Sequence, residues 1–424
     1  MGNVYIGDSS SKVREIKSAY IGDTNGIARK IKAIFVGDLN NKARLVWQAL
    51  KKKIVSYSGS SKIGSYTDSI YHIGEEAFYK VNDNHVLVGL YSDYYSGLRR
   101  SILMNLHLDN NGAVTSGTRF ETSCESSSSY QSAFNSISQF NDTYGASLTS
   151  VYCNSGGAYN ARYLCAFNLN SSTTYTDKYT VESGTLDYWL PIVRLNNSCV
   201  LLPDYNDNGY VYANIYQCND SGKIYSKYSG CVTTNLPGGK DLINGVKPCV
   251  FALSGNRFAV LFSVQQRYSA DTDENKNIMI SVFSYSFDSS NNMTVTRVSY
   301  SLLPFRSYYG HVESVGDDYF IWTGYNECIG FRIDASNNVY ATNAVSSTGH
   351  SAVRIGTSDS ALTYFGENGN IIYYDKQNNT ISKTWSGATP YTSINGQVPY
   401  KEDSVLYAIG DYTYEVSLNK MSFG

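Results

Sequence analysis

Apolar and polar positions alternate with a period of two over most of this chain, and almost no stretch spaces its apolar residues for a helix. The alternation comes in sets. A strongly apolar run leads each one: HVLVGLYSD, ASLTSVYCN, CVLLPDYND, RFAVLFSV, YFIWTGYN, SALTYFGEN and SVLYAIGD. Behind each stands a pair of alternating runs joined by a polar turn. NLHLDNNGAVTS turns at Asp109, CAFNLNSSTTYTD near Asn170, NIYQCNDSGKIYSK at Asp220 and VFSYSFDSSNNMTVTR at Asp288. GFRIDASNNVYATN turns at Asp334, IIYYDKQNNTISKT at Asp375 and YEVSLNKMSFG at Asn419. Asp, Asn, Gly and Ser tolerate the tight backbone of a hairpin. A further short run, such as WLPIVRL, KPCVFALSG or SAVRIGTS, precedes most sets.

The unit is therefore about four strands, and its copies recur at spacings of roughly 40 to 70 residues, with the variation in loops. A four-stranded sheet covers its own faces poorly, whereas packing such sheets face to face around an axis buries both sides. The pattern predicts an all-β protein whose body, residues 51–424, is a β-propeller of about seven four-stranded blades. Sandwich or jelly-roll domains are the competing arrangement. The last set ends in a scant KMSFG, while KKIVSYSGSSKIG at 52–64 has no set of its own. Joining the two would close the ring, with 52–64 as the outer strand of the last blade.

Residues 1–50 obey a different period, fifteen. VYIGDSSSKVREIKSA, YIGDTNGIARKIKAI and FVGDLNNKARLVW are three copies that open on Tyr5, Tyr20 and Phe35. Each reads as strand, turn and strand, and Asn25-Gly26 offers the positive φ angles of a two-residue hairpin. Gly7, Gly22 and Gly37 stand before Asp8, Asp23 and Asp38. Glycine there permits a bulge or close approach, and Asp bonds its own turn amides. Arg14, Arg29 and Arg44 share a phase with Ile16, Ile31 and Val46, which stripes one face, and the third copy closes on Trp47. So small a ribbon buries too little apolar surface to stand alone. It is expected to attach the protein to other chains, through copies of itself or another protein; a sheet packed on its own propeller is the plainer alternative.

These repeats resemble short repeats at the start of tail and baseplate proteins of phages, prophages and phage-tail-like particles of Gram-positive bacteria. That pattern has an aromatic-Ile/Val-Gly opening, a turn, then ARK and finally ARL with an aromatic end. Ala28-Arg29-Lys30 and Ala43-Arg44-Leu45 with Trp47 match it; the first copy departs, with Val13-Arg14-Glu15 and a longer polar turn. The resemblance covers about the first fifty residues and implies a virion or tail-particle component. It says nothing direct about the body; the expected partners are other tail or baseplate proteins, further copies of this chain through the ribbon, and a host cell-surface glycan, whose CH groups would stack on tyrosine rings of the body.

Composition agrees with the strand reading. Aromatic residues make up 14% of the chain, carried mostly by 39 tyrosines, against 17% charged residues and seven prolines. The net charge of −2 hides an asymmetry, because residues 1–53 hold eleven Lys or Arg against four Asp or Glu. These basic side chains alternate with Ile, Val and Ala in strand rhythm. That favours an acidic protein partner over nucleic acid. Asp8, Arg14 and Glu15 interrupt any leader-like apolar run, and no run reaches membrane-spanning length, so synthesis in the bacterial cytoplasm without a signal peptide or membrane insertion is expected. The eight cysteines, at 124, 153, 165, 199, 218, 231, 249 and 328, form no CxxC pair, and several sit in apolar strands. They are expected to be reduced, structural thiols.

Positive signs of chemistry are few. His72, His85, His107, His311 and His350 lack metal-ligand spacing, and HExxH, GxSxG and phosphate-loop motifs are missing. Asp271, Asp273 and Asn275, and the run Asp204, Asn206, Asn208 and Gly209, hint at calcium but lack the distal glutamate. They read as solvated tips. Adjacent carboxylates such as Glu75-Glu76 or Asp317-Asp318 would point apart on a strand, so they make no acid–base pair. No catalytic residue, metal or cofactor is assigned. Tyr94-Tyr95, Tyr308-Tyr309 and Tyr373-Tyr374, set among Ser, Gly and Asn near strand ends, have the composition of recognition surfaces. Tyr94, Tyr95, Tyr308 and Tyr309 are the candidate ligand contacts. The expected function is a structural or adhesive part of a tail or baseplate. A glycan-hydrolysing propeller of the same particle and a purely architectural one are the alternatives.

Overall fold

The computed structural model describes residues 5–7, 13–15, 19–22, 28–31, 33–37, 43–48, 54–65, 69–94, 99–122, 130–153, 160–170, 175–183, 191–205, 210–233, 236, 240–243, 248–266, 276–303, 310–324, 327–347, 351–365, 368–389, 394–401, 404–409 and 415–423. All regular structure among them is strand, with no helix. The chain divides into two compact units, residues 1–53 with Gly424, and Ile54–Phe423.

The second unit is a seven-bladed β-propeller. Blades one to six occupy residues 69–122, 130–183, 193–231, 240–303, 310–346 and 351–388 in turn, each an antiparallel sheet read in chain order from axis to rim. Blade seven takes Ile394–Tyr400, Ser404–Ile409 and Glu415–Phe423 from the end of the chain and Ile54–Ser65 from its start. Phe423 faces Ile54 and Glu415 faces Ser65. The hairpin expected at Asn419 does not exist. Glu415–Phe423 runs straight through it, because Ser404–Ile409 pairs with one edge and Ile54–Ser65 with the other. Two irregularities mark the ring. The inner strands of blades one and two meet in a parallel bridge, Ser136 against Glu76, and the inner strand of blade four comes in two pieces, Lys240–Leu242 and Cys249–Leu253.

Seven apolar clusters hold the propeller together, one in each seam between neighbouring blades. The largest, between blades three and four, stacks Phe258 on Phe283 at 5.1 Å. Between blades four and five, Phe320 lies 4.6 Å from Phe251 and 5.3 Å from Phe331. Burying one such ring stabilises by about 1.5–3 kcal/mol. The seam between blades one and two has the fewest buried apolar side chains, and it also buries the polar side chains of His85, Asn105, Ser147 and Thr149.

One hairpin design repeats between the third and outer strands. An Asp or Asn opens the turn, its Oδ1 accepts amides two and four residues on, and a Gly or Asn at the fourth position takes positive φ. Asp109 accepts from Asn111 N at 2.7 Å and Ala113 N at 2.9 Å, with Gly112 at φ 87°. Asn219 with Gly222 and Asp288 with Asn291 repeat it. Asp334 pairs in the same way with Asn337; at Asp375 the Oδ1 accepts amides two and three residues on, and the positive φ comes one residue later, at Asn379. A type I turn followed by a left-handed residue demands this chemistry, since Asx caps the turn and only Gly or Asn adopts the last conformation cheaply. In blade three the cap is Asn219, one residue before the Asp220 expected from the sequence.

The first unit holds three separate two-stranded sheets, Tyr5–Gly7 with Val13–Glu15, Ala19–Gly22 with Ala28–Ile31, and Ala33–Gly37 with Ala43–Gln48. Their registers correspond. Ile6 faces Arg14, Ile21 faces Arg29 and Val36 faces Arg44. The opening aromatics Tyr5, Tyr20 and Phe35 face Glu15, Lys30 and Leu45. An aliphatic–arginine pair is thus kept while the aromatic's partner varies.

Candidate functional site

The strand directions give the propeller two unlike ends. The turns after each first strand, and the Asx hairpins after each third strand, close one end, called here the turn end. The connections after each second strand and those leading to the next blade close the other, the loop end. Ile54 pairs with Phe423 at the turn end, so the chain enters the propeller there.

The turn end is occupied by ties between blades. Arg257 donates to Ser254 O at 3.0 Å and Asp318 Oδ2 at 2.8 Å, and to Asp334 O and Asn337 Oδ1 at 2.8 Å each. It thereby clamps blade four to blade five. Asn196 N donates to Tyr285 Oη at 3.0 Å, Asn141 Nδ2 to Ser198 Oγ at 3.2 Å, and Arg354 N to Glu313 Oε1 at 2.8 Å. Tyr400 Oη donates to Asp109 O at 3.2 Å and so joins blade seven to blade one. Asn197, Ser198, Asp317 and Asp318 hold positive φ in the tight turns that present these groups. A pocket of about 350 Å³ opens here, lined by Asn141, Asp142, Arg194, Asn196, Ser198 and Arg257 among others. Its polar groups are largely spent on the ties just described. We read it as a seam between turns.

Titratable groups at both ends have structural surroundings. Asn105 Nδ2 donates to Leu169 O at 2.9 Å, which leaves its Oδ1 to accept from His85 Nε2. His85 is therefore the Nε2–H tautomer. Burial pushes its pKa below the usual histidine value, with a smaller opposing contribution from Asn105, while the stacked ring of His107 lowers it further. Asp109, Asp288 and Asp334 are held below the usual carboxylate range by the turn amides they accept. Asp317 and Asp318 sit in a tight turn, not on a strand as expected; Asp318 is consumed by Arg257 and Ser254, and Asp317 lies 3.5 Å from Lys376 Nζ. Asp204, from one calcium-like run, pairs with Arg162 at 2.9 Å. Residues 206–209 and 271–275, the remainder of those two runs, lie outside the described residues. Among the described residues no three His, Cys, Asp or Glu side chains are grouped to hold a metal. Cys165, Cys199, Cys218, Cys231, Cys249 and Cys328 are free thiols, and burial pushes Cys199, Cys218 and Cys328 up to about 12. At those three positions burial favours the thiol over the nucleophilic thiolate near neutral pH.

The loop end carries the exposed aromatic and aliphatic side chains. Tyr210 and Tyr212 open the third strand of blade three, Tyr300 and Leu302 end the outer strand of blade four, and Phe365 ends the second strand of blade six. Phe365 is 58% exposed and Tyr300 49%. Two further exposed tyrosines, Tyr225 and Tyr340, lie near the turn end, where Lys223 and Arg332 cover their rings at 5.5 and 4.3 Å. Tyr94 closes its strand at the loop end of blade one; Tyr95, Tyr308 and Tyr309 lie outside the described residues. Tyr373 is inside a strand, and Tyr374 is buried and bonded to Asn379, so that pair belongs to the packing. Sequence reading passed over Tyr300 and Leu302. The signal was the alternation in RVSYSLL, which places both on one face. Of the attachment residues, Tyr5, Gly7, Arg14, Tyr20, Gly22, Arg29, Phe35, Gly37, Arg44 and Trp47 fall in the paired strands of the first unit, and Asp8, Asp23 and Asp38 lie outside the described residues.

No family model matches the chain, and no curated protein does. Among solved structures it is similar to a catalytically inactive virginiamycin B lyase from Staphylococcus aureus crystallised with quinupristin, at 12% identity over 88% of this chain and 99% of that one, TM-score 0.43. It is also similar to the WD40 β-propeller domain of Doa1, at 12% identity over 87% of this chain and 96% of that one, TM-score 0.44.

Proposed function

We propose that this protein is a structural and adhesive component of a bacteriophage tail or a related tail-like particle, set in a baseplate or fibre. It is moored by its N-terminal hairpins and presents its propeller. The observation that carries this reading is the threefold register of residues 5–48. Three hairpins keep the same aliphatic–arginine pair, and among the described residues each forms a two-stranded sheet. Two-stranded sheets are marginal in water and gain stability by adding strands or covering a face. Repetition at a fixed period suits a partner that repeats too, and the surplus of Lys and Arg suits an acidic one. Several copies in one particle turn weak contacts of the propeller into firm attachment. The protein is made in the bacterial cytoplasm and leaves within the particle.

The test is incorporation. Particles assembled with the full chain, and with a chain lacking residues 1–50, are purified and the protein is quantified by mass spectrometry. The shortened chain keeps the strand 54–65 that completes blade seven. Loss of the shortened chain from particles is expected. Equal incorporation of both chains would overturn the reading.

A further inference from the structure

We infer that the seam between blades one and two is an acid-operated joint, in which proton uptake by His85 parts the two blades at the turn end while the other seams stay closed. Three observations carry it. The first is a relay that crosses the seam. His85, on the second strand of blade one, donates through Nε2 to Asn105 Oδ1 on the third strand. Asn105 Nδ2 in turn donates to the carbonyl of Leu169 in blade two at 2.9 Å. His85 and Asn105 are 6% and 3% exposed, so both lie inside the joint and not at its rim.

The second is that the groups facing His85 are unsuited to an imidazolium. Its Nε2 proton is already given to Asn105, and among the described residues Nδ1 has no acceptor for a second one. His107 is the titratable group that faces it from the neighbouring strand, stacked at 4.8 Å, and two charged rings so placed repel. On the first strand Tyr79 is a phenol whose pKa burial pushes up, and Lys80 is paired with Asp83 at 2.7 Å. Blade two contributes Phe167, Leu169 and Tyr175 to the same cluster, none of them a carboxylate. A proton arriving at His85 thus creates a buried, unpaired charge, which reaches water when the seam parts.

The third is the polar lining of the closed seam. Ser147 Oγ and Thr149 Oγ1, on the second strand of blade two, are buried there with no hydrogen-bond partner among the described residues. Parting the blades hydrates both hydroxyls, which favours the open joint. At the axis the inner strands of the two blades are bridged at Ser136 and Glu76, which gives the movement its hinge.

Cys165 reports on the joint, because it sits beside Ser147 in the strand pairing of blade two and is buried. The full chain is treated with a dipyridyl disulfide, which labels thiols at acid as well as neutral pH. Mass spectrometry reads each cysteine separately, with rates normalised to a free cysteine peptide at the same pH. An imidazole released to water has the ordinary pKa of 6.5, so labelling of Cys165 should rise by up to about tenfold from pH 7.5 to 5.5. Cys199 and Cys328, buried in other seams, should show no such rise. His85→Gln keeps an amide donor for Asn105 and does not titrate, so it should flatten the rise. His107→Gln, at an exposed position, should keep it. Protection of Cys199 and Cys328 at pH 7.5 checks that both variants are folded. An equal rise at all three cysteines, no rise at Cys165, or a rise that survives H85Q or vanishes in H107Q would overturn the inference. Should H85Q fail to fold, the parent chain and H107Q still decide.

Discussion

Asp318 and Asp317 are neighbours in sequence with opposite expected worth, and the contrast tests how the ring is held. Asp318 accepts from Arg257 Nη2 at 2.8 Å, and from Ser254 N at 2.7 Å and Ser254 Oγ at 2.5 Å. Both charged side chains of that pair are 12% exposed. Asp318→Ala would strand a guanidinium between blades four and five, and breaking such a pair costs about 3–5 kcal/mol. Unfolding entropy of about 2.1 cal/mol/K per residue over roughly 370 propeller residues makes 4 kcal/mol a drop of about 5 °C in Tm. Asp317 instead reaches Lys376 at 3.5 Å with its own side chain 90% exposed, and removing it should cost less than about 1 kcal/mol. Calorimetry of D317A, D318A, R257M and the double variant R257M/D318A measures both the cost and the coupling. Because the double variant leaves no unpaired guanidinium, it should be less destabilised than the two single costs added together. A fall of less than 1 °C for D318A, or strict additivity in the cycle, would refute the clamp.

Acid should act on the Asx hairpins. Asp109, Asp288 and Asp334 have depressed carboxyl pKa values, so their stabilisation is present above the unfolded value of 3.8 and is lost as pH falls below it. The triple variant D109N/D288N/D334N keeps the acceptor, as Asn219 does in blade three, and should lower the acid midpoint followed by circular dichroism. His85 works at higher pH. Its folded value lies below the unfolded 6.5, so the folded state prefers the neutral ring and stability declines as pH falls through about 6.5 and below. Urea midpoints at pH 7.5 and 5.5 should differ less for His85→Gln than for the parent. At Gly145 an added Cβ would stand 2.3 Å from Cζ of the buried Phe167 ring, so Gly145→Ala should cost about 1–3 kcal/mol by overpacking. Adding Phe167→Leu should restore part of that loss in urea titrations.

The architecture was legible where one physical rule acts on neighbouring residues. Runs such as RFAVLFSV and YFIWTGYN are apolar throughout because a second strand is covered on both faces by adjacent blades, while the outer strand Met293–Leu303 alternates because one edge and much of its surface meet water. Turn positions followed from Asx and Gly chemistry. Their phase did not, since NDSGK offers two Asx residues and only Asn219 can accept amides two and four positions on. The Asn419 hairpin failed for a related reason: SLNKMS has turn residues, yet two partner strands on either side hold it extended, and tertiary pairing outweighs a local preference.

Long-range polar ties left no such trace. Arg257 lies 61 residues from Asp318, and Tyr400 lies 291 from Asp109, so nothing in local spacing marks them as partners. Their logic becomes visible only once the turns of neighbouring blades are brought to one end of the ring, where exposed backbone and side-chain groups must find acceptors. The same geometry gives aromatic pairs that are alike in sequence unlike places in the fold. Tyr373-Tyr374 and Tyr94-Tyr95 look alike in sequence, yet Tyr374 is buried in the seam between blades five and six while Tyr94 reaches a strand terminus. Position along the strand and the end of the propeller at which it falls, rather than the presence of tyrosine, decide whether a ring packs a seam or faces solvent. An aromatic residue in this fold therefore acquires functional meaning from the direction of its strand, a property of the closed ring and not of any short stretch of its sequence.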